Sequence, residues 1–369
     1  YDVKFFGATA SAYMQWDASQ DDLILGGAAR LGIGTASPAS DLHLKSSTSG
    51  DPELRIEGSG TDNGIITFLG VGHSNPAVAM RYISTGDSVG HLAFYANASS
   101  SSTLSERFRI SSDGSLSTPT AGTSNVRFGV NAGNSIASGG NYNVCLGDEA
   151  GTAISTGDHN VAVGYQAGNS LDVGGANVAV GYKALSTEDG NGNNVAVGYL
   201  ALTTQNTGAD GHNTGVGHKA GRNITTGTQN TFVGALVGDA STEGVHNVAM
   251  GYAALTTDTK GNYSVAIGAG ALATQNFTSA TDTYNTAVGE DAGNDITTGI
   301  RNTLIGGLAG DALTDADDNV AVGMLALSTC QLGSANTAVG KDALEDCNPA
   351  SAVTMYNSAF GMGAGANVT

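Results

Sequence analysis

Between Asn125 and Gly361 the apolar and polar positions follow no helical period. They return fourteen times as a five-residue unit, Asn-(Val/Thr)-Ala-(apolar)-Gly, with a period of roughly 17 residues. The closing glycines include Gly164, Gly181, Gly198, Gly217, Gly234, Gly251, Gly289 and Gly323; the 13 steps between successive copies are 17 in nine cases and 18, 19, 21 and 21 in the other four. A unit this short holds no helix pair, but it suits one coil of two short strands and two turns. The pattern predicts a parallel β-solenoid of about 14 coils, all-β, over residues 121–369.

Period-two alternation assigns each position in the unit a face. In Asn160-Val161-Ala162-Val163-Gly164 the two valines share one face, and their apolar character predicts that they line the coil interior, as do Val180 and Val197 in later copies. A carboxylate at Val163 is therefore expected to break assembly. The middle position is Ala in nine copies, which predicts a narrow outer face that a neighbouring chain approaches closely. Asn opens 13 units (Asn160, Asn177 and Asn194 among them) and Ser264 opens the other; stacking at roughly 4.8 Å predicts side-chain amide ladders. The closing glycine fits positive φ or close backbone approach.

A second pattern follows the glycine in blocks of two coils. Ala150-Gly151 and Ala167-Gly168 give way to Ala184-Leu185 and Ala201-Leu202, and the alternation continues. Ala-Gly coils usually carry an apolar residue three positions later (Ile154, Leu171, Ile224), whereas Ala-Leu coils carry Glu188, Gln205, Asp258, Gln275, Cys330 or Cys347 there. Leu in one type is expected to replace the Ile/Leu of the other. The longer intervals give a superperiod that runs from Gly217 to Gly289 to Gly361 (289 − 217 = 361 − 289 = 72).

Residues 1–120 read differently, as an antiparallel β region. Leu54–Glu57, Ile65–Leu69, Leu92–Tyr95 and Arg107–Ile110 alternate between Gly/Ser/Asp/Asn turns, Leu31–Ile33 and Leu42–Leu44 form a strand-turn-strand unit, and Ser115–Gly122 is the expected junction.

Composition narrows the class. Fifty-five Gly, five Pro and 13% charged residues speak against a large conventional core and for a fibrous, secreted or particle-borne chain. The net charge is −19, with 7 − 12 = −5 in residues 1–124 and 7 − 21 = −14 in the rest, which disfavours nucleic acid and anionic membranes. No apolar run reaches the roughly 20 residues of a membrane-spanning helix. Tyr1 in place of Met is expected to mark a processed or partial chain. Cys330 and Cys347 lie one coil apart at equivalent positions, within disulfide reach if the coils stack, although a reducing cytosol keeps such a pair reduced.

No catalytic, cofactor or metal residues stand out, so no enzyme activity and no cofactor are expected. Glu188-Asp189 and Asp315–Asp318 read as solvated loop acids, and the acids form no distinguishable glycosidase pair. His159, His212 and His246 each precede a repeat Asn on different coils, which leaves only a threefold ring across a trimer as a metal arrangement. Pairs such as Thr203-Thr204 and Thr225-Thr226 raise an ice-binding face, but adjacent side chains point oppositely.

Gly32-Ile33-Gly34-Thr35-Ala36-Ser37-Pro38 with Leu42-His43-Leu44, and Glu106–Gly114, resemble segments of bacteriophage tail fibres matured by a C-terminal chaperone of the endosialidase type. The repeats, such as Asn160–Gly164 and Ser264–Gly268, are similar to head repeats of trimeric autotransporter adhesins. The resemblance implies a left-handed homotrimeric β-roll. It also implies a structural, adhesive fibre on a virion tail, with other tail proteins and a host cell-surface glycan or protein receptor as partners. No membrane-anchor or chaperone segment is recognisable, which fits chaperone cleavage or a partial chain. The alternatives are a bacterial surface or filament adhesin and, further off, a solenoid depolymerase or ice-binding protein.

Overall fold

The computed structural model describes residues 3–7, 12–19, 22–26, 29–33, 35, 37, 42–44, 65–68, 78–86, 89–97, 104–112, 116–118 and 121–368. Among them every regular element is a β-strand. The chain divides into two compact units, Tyr1–Leu104 and Ser105–Thr369.

In the first unit β1 (Val3–Phe6), β2 (Tyr13–Asp17) and β3 (Asp22–Gly26) form an antiparallel sheet, with Val3 opposite Trp16 and Trp16 opposite Leu23. Strands β4 (Leu31–Ile33) and β5 (Leu42–Leu44) pair parallel, unlike their antiparallel surroundings. Strands β6 (Ile65–Phe68), β7 (Val78–Gly86) and β8 (Val89–Asn97) pair antiparallel, and Ala79 and Ala93 are buried. The second unit opens with β9 (Leu104–Ile110), most of which it contains, paired antiparallel with β10 (Leu116–Ser117). The expected strand at 54–57 lies outside the described residues, as does part of the expected junction.

The repeats then stack as one 14-stranded parallel sheet from Val126–Phe128 to Ser358–Phe360. Each unit pairs in register with the next, so Val161, Ala162 and Val163 lie beside Val178, Ala179 and Val180. Each regular coil contains one three-residue strand and not two. Its other side is a run of turns, joined to the next coil by bonds such as Gly151 N–H to Ala167 O (2.9 Å) and Leu185 N–H to Ala201 O (3.0 Å).

The faces of the strand are the reverse of those expected. Ala162, Ala179 and Ala196 are fully buried, while Val161, Val163, Val180 and Val197 are only half-buried and look outward. The reason is width: the turn run lies so close behind the strand that only a methyl fits between them, and the bulkier valines must take the other face. Where a larger residue occupies the inner slot, its surroundings shrink. Phe232 lies beside Gly215 on the neighbouring strand, and a Cβ at Gly238 would come within 2.7 Å of the Phe232 ring. Leu304 is likewise accommodated by Gly293 and Gly310.

The two coil types fill the remaining interior as complements. Ile154, Leu171 and Ile224 are fully buried in Ala-Gly coils, and Leu185, Leu202 and Leu272 in Ala-Leu coils. Gly151 has φ 58°, and a Cβ there would meet Cys145 Sγ at 2.7 Å; Leu185 takes the same left-handed conformation at φ 49°. Leucine accepts that backbone strain, on the order of 1–2 kcal/mol, because its side chain supplies the interior contact.

The repeat asparagines hold the stack. Asn143 Oδ1 accepts the Asn160 N–H (2.9 Å), and Asn143 Nδ2 donates to Gly157 O (2.8 Å). The same pair of bonds recurs from Asn230 to Asn247 N–H (2.9 Å) and Gly244 O (2.8 Å). The ladder therefore runs mainly from amide to backbone, not from amide to amide; direct side-chain bonds such as Asn194 to Asn177 (3.1 Å) are additions. At the exceptional Ser264, Thr283 from a long loop contributes a hydroxyl 2.7 Å from Ser264 Oγ.

Three substitutions test this arrangement. Phe232→Ala should lose about 3–5 kcal/mol through its cavity, whereas Val233→Ala on the outer face should cost a single chain under about 1.5 kcal/mol; denaturant unfolding of dilute protein checks the order. Asn230→Ala strands the Asn247 N–H and the Gly244 carbonyl and should cost about 2–5 kcal/mol in the same assay.

Candidate interaction face

The outward side chains of the 14 strands form two columns. One runs Val126, Val144, Val161 and onward to Ser358, the other Phe128, Leu146, Val163 and onward to Phe360, with only Val, Leu, Ile, Met, Phe, Thr and Ser at those positions. Thirteen strand spacings of about 4.8 Å make the strip roughly 60 Å long. At a width of about 10 Å it reaches the largest apolar patches tolerated on soluble monomers, which are ~300–600 Å². The ends of the second column are bare, with Phe128 51% and Phe360 70% exposed.

Aromatic stacks border the strip. Two residues after the Phe128–Phe360 column, Tyr165, Tyr182, Tyr199 and His218 stack with centroids 5.4, 5.2 and 5.3 Å apart. Two residues before the Val126–Ser358 column, His159 stacks on Tyr142 at 5.0 Å, and His246, Tyr263 and Tyr284 stack at 4.9 and 5.2 Å. The coil rise sets this spacing, which suits offset ring stacking. The histidines that precede repeat asparagines occupy left-handed corners, His159 at φ 60° and His246 at φ 58°. All fourteen residues preceding the unit adopt this conformation, with φ between 47° and 63°. The closing glycines lie between the Phe128–Phe360 column and the tyrosine stack. Gly164 has φ 122°, and a Cβ there would lie 2.8 Å from Gly181 O, so both reasons for glycine apply at once; Gly181, Gly198, Gly217, Gly234, Gly251, Gly289 and Gly323 repeat the geometry.

The aromatic stacks were missed in the sequence pattern although their signal is there: Tyr165, Tyr182 and Tyr199 each directly follow a repeat glycine on three successive coils.

Several of the remaining polar candidates are engaged within the scaffold. Glu188 is no solvated loop acid: it is fully buried, accepting from Asn191 Nδ2 (3.0 Å) and Gln205 Nε2 (3.0 Å). Asp189, Asp315 and Asp318 are exposed, and Asp318 forms a two-pronged pair with Arg301 (2.6 and 2.9 Å) that holds its carboxyl below the usual range. A shallow depression contains Asp158, His159, Asn193 and Asp210. Both of its carboxylates are engaged, Asp158 accepting the Asn141 N–H (2.6 Å) and Asp210 the Gly192 N–H (3.1 Å). Of the threonine hydroxyls, Thr204 Oγ1 donates to Arg222 O (2.9 Å) and Thr225 Oγ1 to Thr242 O (3.1 Å). Burial pushes the Cys145 thiol up to about 11, against the opposing pull of Arg127, so it stays protonated. Among the described residues no group of three His, Cys, Asp or Glu is placed to hold a metal ion, and no helix is long and apolar enough to cross a membrane.

No family model, curated protein or solved structure matches the chain.

Asp258 gives the interior a pH dependence. Burial raises its carboxyl above the ordinary value, opposed by donors from Gln275, Phe277, Gly261 and Lys260. A raised folded-state pKa means that its contribution is fully present below the unfolded value near ~4 and is lost as pH rises through the folded value. Thermal midpoints measured upward from pH 3.5 should show this loss, and Asp258→Asn should flatten that part of the profile.

Proposed function

We propose that this chain is a structural, adhesive subunit of a phage tail fibre that assembles as a homotrimer through the strip of outward valines. The observation that carries the reading is the strip itself: a mostly apolar, uncharged sheet face that stays half-exposed along the repeat array. A partner that covers it evenly must repeat side chains at the same rise, and a second copy of this chain in parallel register does so by construction. The N-terminal sheet adds an independent reason. Val3, Phe5, Met14, Trp16, Leu23 and Leu25 share one face by their pairing register and are all exposed, Phe5 by 61%. Two uncovered apolar faces in two separate units fit one oligomer better than two unrelated ligands.

The fibre reading rests on the array's one-dimensional form, on interior polar groups committed to coil stacking, and on the resemblance of the Gly32–Pro38 and Glu106–Gly114 segments to tail fibres. In a trimer each loop appears three times around the rod, so weak contacts with a host-surface glycan or protein add through avidity. The alternative is a bacterial surface or filament adhesin, which shares the assembly and differs in what carries it. The threonine hydroxyls of Thr204 and Thr225, committed to neighbouring coils, and the engaged carboxylates of Asp158 and Asp210 favour neither ice binding nor polysaccharide cleavage.

Native mass and sedimentation of the full chain test the assembly, with three chains in an elongated particle expected. A double Val180→Asp, Val233→Asp variant should keep its β-sheet circular dichroism while dissociating to single chains. A stable wild-type monomer would overturn the trimer. Detection of the chain in purified virions, with binding of the labelled trimer to host cells, separates the tail fibre from a cell-surface adhesin.

A further inference from the structure

The three blocks of Ala-Leu coils place a special pair at the same interior position, three residues after the buried leucine. In the first block Gln205 Nε2 donates to Glu188 (3.0 Å), and in the second Gln275 Nε2 donates to Asp258 (2.5 Å). Every member of these pairs is buried. The position thus carries a side-chain link between adjacent coils, set where two Leu coils meet. In the third block the same two positions are Cys330 and Cys347, fully buried, with their sulfurs 2.8 Å apart. As thiols they form the weakest link of the three.

We propose that Cys330 and Cys347 are a disulfide site, a covalent link between consecutive coils in the position where the other two blocks use an acid-amide bond. The backbone permits it, because equivalent residues on stacked coils lie about 4.8 Å apart, inside the ~4.4–6.8 Å Cα range of disulfides. The polarity of the pair assigns roles. The Cys347 S–H donates to Cys330 Sγ, which holds the Cys330 thiol below its usual range with help from the Gly333 N–H, while the Cys347 thiol is pushed up. Cys330, whose sulfur accepts both the Cys347 S–H and the Gly333 N–H, is the proposed attacking thiolate.

The oxidant is a small disulfide such as oxidised glutathione. The Cys330 thiolate attacks one of its sulfurs, breaking that S–S bond and releasing one glutathione thiolate, which takes up the Cys347 proton. The Cys347 thiolate then attacks Cys330 Sγ, forming the protein disulfide and releasing the second glutathione thiolate, which is protonated from solvent. Two protein thiols lose two electrons and one glutathione disulfide gains them. The largely exposed segment Asn348–Val353 adjoins Cys347, so opening of this loop gives the reagent its access. The bond ties together the coil carrying Cys330 and the longer interval from Gly340 to Gly361, where the extra loop interrupts the regular ladder. A link there resists coil-by-coil unzipping.

This inference does not depend on the trimer, so the two readings fail separately. The full chain, held folded with oxidised glutathione until the amides of 340–361 have exchanged with deuterated solvent, is denatured in N-ethylmaleimide and weighed. Uptake of one maleimide, on Cys145, together with a Cys330–Cys347 linked peptide is expected, as is a raised thermal midpoint that dithiothreitol lowers again. A Cys347→Ser variant should instead retain glutathione on Cys330. Three maleimides on a wild-type chain whose amides in this region have exchanged would overturn the proposal, and so would a Cys347→Ser variant that takes up no glutathione under the same conditions.

Discussion

Coil stacking depends on one recurring interaction, the buried asparagine that accepts the next unit's N–H and donates to a carbonyl of the same neighbouring coil. A side chain that spends both ends of its amide on one neighbour fixes the distance to it and its register. With register fixed, every residue comes to lie beside its equivalent on the next coil. The alanine row inside, the valine columns outside, the stacked tyrosines and the paired cysteines all follow from that alignment. Insertions are tolerated where they leave it intact: after the longer interval from Gly268 to Gly289, Val265 still pairs with Thr286.

The interior is a matter of width more than of hydrophobicity. A globular core gathers its largest side chains, whereas this coil has room for a methyl from the strand and one Leu or Ile from the turns. Large apolar residues are thereby displaced outward, and the coil presents them as a repetitive apolar surface. Phe232 shows the cost of the exception, since a ring in the alanine slot is matched by glycine at 215, 221 and 238. The same narrowness explains the buried acid-amide pairs. When Leu takes the place of Gly at the left-handed turn position, the residue three positions on is no longer required for apolar filling and becomes free to link coils.

Acidic composition fits this division of labour. The interior carboxylates that are hydrogen-bonded, Glu188 and Asp258, are few, and the rest of the array's excess negative charge lies in turns and loops away from the apolar strip. Charge on the rim and none along the strip would direct the proposed association to one face.

By itself the sequence determined the repeat, its period, the all-β solenoid and the number of coils, because so short a spacing of Asn and Gly leaves no room for another architecture. It also determined the complementarity of the two coil types, since Leu185 and Ile154 alternate in a way that only a shared interior requires. The position of Cys330 one coil from Cys347 was legible for the same reason. Which strand face is inside was decided by tertiary structure alone. Alternation places Val161 and Val163 opposite Ala162, but the depth of the coil, set by where the turn run packs behind the strand, determines which set fits. Glu188 was misjudged as a solvated acid on the same account, since nothing local distinguishes it from Asp189 beside it. The direction of the asparagine bonds was likewise hidden, because stacking brings amide, backbone N–H and carbonyl into reach together and only their relative positions select the partners.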